Sequence, residues 1–175
     1  MNDIVRFWRD AGPAKWFAKD DAFDNGLRAR FLDEHLAAAR REREVLLDNA
    51  DDALALILLL DQVPRNVFRD CAHAFATDPL AREYAQRALD AGFDTHVDPA
   101  LRIFFYLPFE HSEDMTDQDR AVALCEVLGD ATYLKYAKAH RDVIRRFGRF
   151  PHRNRALVRV STAEEQEWLD AGGGF

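Results

Sequence analysis

DDALALILLLDQVPRN, residues 51–66, is the stretch on which the fold turns. Its two leading acids suit the positive end of a helix dipole. Ala53 to Leu60 are then apolar on all sides, which is how a central helix buried by its neighbours reads. Pro64 has no N–H to donate and its ring crowds the preceding turn, so the helix is expected to end there.

Helix punctuation continues outward in both directions. Asp20 and Asp21 can cap a helix that carries Phe23, Leu27 and Phe31 every four residues and runs to about Arg43. Ile4, Phe7 and Trp8 form a shorter apolar stripe, and Trp16-Phe17 is expected to anchor the connection to the core. Downstream, Asp78-Pro79 and Asp98-Pro99 each read as N-cap plus first-turn proline, opening helices near 79–91 and 99–107, the first closed by Gly92. Thr116 with Asp119 and Ser161 with Glu164 resemble capping boxes, which places helices at about 117–128 and 162–170. Tyr133, Ala137, His140, Ile144 and Phe147 mark one face of a further helix that Gly148 can stop. No strand-like alternation bounded by hairpin turns appears. The expectation is an all-α single domain over residues 1–175, with about seven or eight helices joined by short links.

A chain of 175 residues can bury a core without covalent staples. Cys71 and Cys125 lie far apart and form no CxxC pattern, so both read as small buried apolar residues in a reduced compartment. The N-terminus lacks a basic region followed by a long apolar stretch, and no apolar run approaches the ~20 residues that span a bilayer. A cytoplasmic protein without membrane contact is expected.

Several stretches together are specific. WF–KD–FD (Trp16, Phe17, Lys19, Asp20, Phe23, Asp24), LLLDQVPRN (58–66), YLPFEHSED (106–114), HRD–I–RFGRFPHRN (140–154) and the closing ST–EE with a final Phe resemble the bacterial domain-of-unknown-function 924 family over essentially the full chain. Where that family typically reads FWFG, this chain has Phe7-Trp8-Arg9-Asp10, and its final Gly-Gly-Gly-Phe175 stands where Gly-Ser-Ser-Phe is usual. The resemblance implies an all-helical, tetratricopeptide-like fold and no established activity. A short internal echo, DQVPRN against RFPHRN, fits stacked helix pairs.

Charge singles out one segment. The net charge is −7, yet His140 to Arg159 holds seven arginines against the single acid Asp142. Arg65 and Arg69 follow the Asp61-Gln62 helix end, and Arg149 and Arg153 follow Gly148. Guanidinium forks match phosphate and carboxylate oxygens two at a time, so a cluster from two turns makes an anion clamp, with Asn66 and Asn154 orienting the ligand. The plainer alternative is that these arginines cap carbonyls and pair with Asp61, Glu110, Glu113 and Asp114, stitching helices together.

PFEHSED adds acid–base chemistry. Glu110 and His111 are the first candidates for an acid–base pair, with His140 or His152 second and Asp61, Gln62 and Glu113 among the ligand contacts. No HExxH motif or Cys/His cluster supports a metal site, and no cofactor motif is present. RRFGRF interleaves arginine with aromatics as single-strand binders do, but the acidic remainder and the lack of a nucleic-acid module argue against that partner. There is no nucleophile elbow and no glycine-rich phosphate loop. DQVPRN, PFEHSED and RFGRFPHRN are therefore expected to converge on one pocket for a small anionic molecule. The competing reading is a non-catalytic module that grips a protein or peptide partner.

Overall fold

Short polar side chains start the helices. In the computed structural model, which describes residues 2–175, Asp20 accepts from the N–H groups of Ala22 and Phe23 at 2.9 and 3.0 Å and opens α3 (Asp21–Ala39). Asn49 does the same for α4 (Ala50–Ile57), Asp114 for α8 (Met115–Leu128) and Asp130 for α9 (Ala131–Phe147). Each side chain satisfies donors that a helix start leaves unpaired. Gly148, at φ 70, closes α9 in the left-handed conformation that a Cβ disfavours. Helices α1 (Asn2–Ala11), α2 (Pro13–Trp16), α5 (Val63–Val67), α6 (Asp78–Asp90), α7 (Leu107–Glu110) and α10 (Ala163–Asp170) complete the set, joined by 3₁₀ turns. Among the described residues there is no strand, so the fold is all-α.

The contacts divide into two compact units. One comprises Met1–Arg69 with His73–Pro108, the other Asp70–Ala72 with Phe109–Phe175. The first is built on α4, every residue of which from Ala53 to Ile57 is fully buried. Trp8 meets Phe23 and Phe104 at 5.6 and 5.7 Å between ring centroids, and Trp16 packs edge-on to Phe104 at 5.0 Å. The Trp16 indole N–H donates to the Trp8 carbonyl at 2.6 Å, which seats the second tryptophan without stranding its polar atom. Phe17 is over half exposed yet stacks on the buried Phe104 at 6.2 Å, so both rings meet the core and Trp16 is the one enclosed by it. In the second unit Val143, Ile144 and Phe150 form a core flanked by Met115, Phe147 and Trp168.

Several local expectations are corrected. The helix does not end at Pro64. Leu58–Gln62 form a π turn and the chain stays helical to Val67. The π turn and the missing proline N–H release backbone carbonyls, and side chains take them over. His35 Nδ1–H donates to Leu59 O at 2.8 Å, Thr77 to Leu60 O at 2.5 Å, Arg65 to Asp61 O at 2.7 Å and Asn66 to Gln62 O at 2.9 Å. A buried carbonyl without a donor is costly, and four separate donors keep this proline inside a helix.

The helix after Asp20 stops at Ala39 rather than near Arg43, and Pro99–Phe105 is a 3₁₀ helix. The capping box at α10 is Thr162 with Glu165, one residue beyond the Ser161–Glu164 pair, and Asp114 rather than Thr116 caps α8. Cys125 is buried, and burial pushes its thiol up to about 12. Cys71 is exposed, because it lies in the turn that follows Asp70 at φ 59. The echo between DQVPRN and RFPHRN is one of composition, since the first lies within a helix and the second follows a helix stop in a 3₁₀ turn.

Candidate functional site

The histidines of the second unit gather around one carboxyl group. Glu110, at the end of α7, places Oε1 3.1 Å from His140 Nδ1 on α9. The same nitrogen lies 2.9 Å from the Tyr136 carbonyl. A carbonyl only accepts, so Nδ1 carries the proton and Nε2 keeps its lone pair. Burial pulls the His140 pKa down to about 3, and the positive field of His111, His152 and Arg153 works in the same direction. The Tyr136 carbonyl opposes these effects without reversing them. His140 is therefore a neutral imidazole with a fixed tautomer at ordinary pH.

Aromatic rings enclose it. Phe150 stands edge-on to His140 at 5.6 Å, His111 lies 6.4 Å away, and Phe175 stacks on the imidazole at 3.6 Å with 14° between the planes. The Arg153 guanidinium lies 4.5 Å over the Phe150 ring and donates to the His111 carbonyl at 3.0 Å. Asn154, 2% exposed, donates to Ser161 Oγ at 3.1 Å, while its Oδ1 is buried with no hydrogen-bond partner. Gln118 clamps the 110–112 turn from below, donating to the carbonyls of Glu110 and Ser112 at 2.6 Å each. That clamp positions Glu110 for α9.

Arg149 and Arg159 are taken up by carboxylates of the same unit. Arg149 makes a two-pronged pair with Glu165 at 2.6 and 2.7 Å and donates to Val160 O. The Arg149 hydrogen bonds, helped by the Thr162 N–H, hold Glu165 down to about 2. Arg159 grips Glu113 at 2.8 and 2.9 Å, and Glu113 also accepts from the Phe150 N–H. Burial pushes the Glu113 carboxyl up, but these donors leave it below the usual carboxylate range.

DQVPRN belongs to the first unit. Arg65 pairs with Asp78 at 2.7 and 2.9 Å and reaches Asp61 Oδ1 at 3.3 Å, and Gln62 donates to Asp61 at 2.7 Å. Arg69 pairs with Asp24 at 2.5 Å and with Asn66 Oδ1 at 2.8 Å. Asn66 and Arg69 border an open surface depression of about 360 Å³ that Lys19 and Arg28 also line. Thus Glu110, His111, His140, His152, Arg153 and Asn154 share the second unit with Glu113 and Arg149, while Asp61, Gln62, Arg65, Asn66 and Arg69 form a network of the first. Phe175 is the site neighbour that sequence reasoning missed, and no local pattern marks its place against His140.

Among the described residues, no group of three or more His, Cys, Asp or Glu side chains is arranged to hold a metal ion, and no helix is long and apolar enough to cross a membrane.

An all-helical chain with an enclosed carboxyl–imidazole pair is the class that fold and site define. The chain belongs to the bacterial family of unknown function DUF924, whose profile matches residues 4–173. It is similar to a solved structure of a protein of unknown function from Agrobacterium tumefaciens, with 55% identity over 97% of this chain and 96% of that one and a TM-score of 0.94. Comparison with curated proteins returned no match.

Proposed function

We propose that the second unit binds a small molecule bearing a phosphate or carboxylate beside His140, and that His140, oriented by Glu110, moves a proton to or from it. One observation carries the reading: a neutral, tautomer-fixed imidazole stands within the field of His111, His152 and Arg153, with Glu110 Oε1 3.1 Å from its Nδ1. The field that disfavours a proton on His140 favours an anion next to it. A bound anion would offset that field and raise the His140 pKa toward the range in which a general base works at neutral pH.

A thermal-shift screen of phosphorylated and carboxylated metabolites tests the proposal, because a ligand that binds only the folded state raises the melting temperature by mass action. Stabilisation by at least one such anion, lost in His140→Asn, is expected. No stabilisation at concentrations far above a plausible dissociation constant would refute it.

A non-catalytic peptide-binding module is the second reading. It is favoured by Val158 and Val160, which stand 93% and 87% exposed, Val158 at φ 53. A β-branched residue at positive φ is strained, and a partner that covers this strip would give the strain a purpose. Anion binding lost with His140 separates the two readings.

A further inference from the structure

We infer that the slot against His140 is a site for a planar ring, and that Phe175 fills it in the ligand's place. The inference rests on the anion-binding reading and adds the ligand's class: an aromatic or heteroaromatic ring carrying a phosphate or carboxylate.

The geometry is that of a bound ring. One face of Phe175 lies flat on His140 at 3.6 Å, while Phe150 and His152 meet it nearly at right angles, 89° and 82°, at 6.3 and 5.7 Å. A flat floor with two upright walls accepts a planar ring and little else of that thickness. Phe175 itself is 53% exposed while His140 beneath it is 8% exposed, so the imidazole is covered by a ring that is only half embedded. A ligand that reaches the face of His140 must take that ring's position.

The approach of the chain is built for this contact. Helix α10 ends with the Gly172 N–H on Leu169 O and the Gly173 N–H on Trp168 O, both at 2.9 Å, and with Gly172 at φ 84. A Cβ on Gly173 would sit 2.3 Å from the Trp168 indole, and Gly174 takes φ 146, which L side chains rarely adopt. Glycine at these positions returns the backbone across His152 and sets Phe175 down on the imidazole. A tethered ring competes with a free one at high effective concentration, so the slot is self-occupied until a better ring displaces Phe175.

Calorimetric titration of the full chain and of Phe175→Ala with phenyl phosphate, benzoate, adenosine monophosphate and inorganic phosphate tests the inference. The ring-bearing anions should bind the variant more tightly than the unmodified chain, by about tenfold as an order of magnitude for one removed stacking competitor, with inorganic phosphate unchanged. Equal or weaker binding of ring-bearing anions by Phe175→Ala would overturn it and make Phe175 a wall of the site. Binding of inorganic phosphate with no preference for rings in either protein would overturn this inference and leave the anion site standing. No binding of any anion to either protein would remove both. The His140 ring-proton resonances give a second check: Phe175→Ala should shift them by loss of the stacked ring current, and unshifted resonances would contradict the contact itself.

Discussion

Glu110 Oε1 and His140 Nδ1 lie 3.1 Å apart, and with the imidazole neutral and its Nδ1–H given to the Tyr136 carbonyl at 2.9 Å, the contact is a close polar approach rather than an ion pair. Burial removes the water that would stabilise an imidazolium, and electrostatic interaction with His111, His152 and Arg153 disfavours the proton further. The Tyr136 carbonyl, 2.9 Å from Nδ1, fixes the tautomer, and the Glu110 carboxyl group lies beside the same nitrogen. The lone pair is thereby left on Nε2, as the proposed proton transfer requires.

Acid should destabilise the protein before its carboxylates titrate. His140 has a folded pKa of about 3 against an ordinary 6.5, so between those values the unfolded chain binds a proton that the folded chain refuses. Stability must then fall as pH drops through this window, by up to about 1.4 kcal/mol per pH unit. His35, also lowered by burial, adds to the slope in the same direction. Glu113 and Glu165, both held below 4.5, lose their contribution only further down. Urea midpoints measured from pH 7 to 4.5 should decline in the unmodified chain and decline less in His140→Asn, whereas superimposable curves would contradict a neutral His140.

Arg65 is a stitch of the first unit, and its removal strands charge. Its guanidinium holds Asp78 with two hydrogen bonds and lies 3.3 Å from the buried Asp61. Arg65→Ala should cost about 3–5 kcal/mol, since it takes a close counter-charge from two buried carboxylates. Arg146→Ala, which loses an exposed pair with Glu164, should cost no more than about 1 kcal/mol. Equal losses in denaturant unfolding would show that Arg65 is not structural.

The proline-bearing π turn should depend on distant side chains. Thr77→Val and His35→Leu each leave a buried helix carbonyl without its donor, at Leu60 and Leu59. A loss of about 1–3 kcal/mol is expected from each, and hydrogen exchange should quicken at residues 58–63. Unchanged exchange would mean that the released carbonyls need no capping.

Helix α10 offers a sharp local comparison. Thr162 accepts from the Glu165 N–H while Glu165 accepts from the Thr162 N–H, so Thr162→Ala should cost about 1 kcal/mol. Ser161 accepts from Asn154 Nδ2 at 3.1 Å and caps no helix N–H, and Ser161→Ala should cost less. A reversed order in thermal unfolding would place the cap one residue earlier.

These cases mark what the sequence made legible. Asp20, Asp98 and Gly148 act through neighbours two to four residues away, so their roles follow from local spacing, and with them the all-α class. The π turn at Pro64 was not legible, because the donors that sustain it include His35 and Thr77, distant in sequence and without a motif. The same holds at the site. Glu110 and His140 are thirty residues apart, and nothing in PFEHSED shows that Glu110 serves His140 instead of its neighbour His111. The arginine segment was conspicuous, yet its partners Glu113 and Glu165 are set by packing. Only with those partners in place does Arg153 stand out as the guanidinium that acts on His140 and bonds the His111 carbonyl.

The most direct test is the protonation of His140 itself, followed by NMR of the imidazole nitrogens as pH is lowered, in chloride and in high inorganic phosphate. The imidazole should remain the neutral Nδ1–H tautomer down to about pH 3 in chloride, and its pKa should rise by a unit or more in phosphate. Titration near 6.5 that phosphate leaves unmoved would contradict both the enclosed neutral imidazole and the anion site built on it.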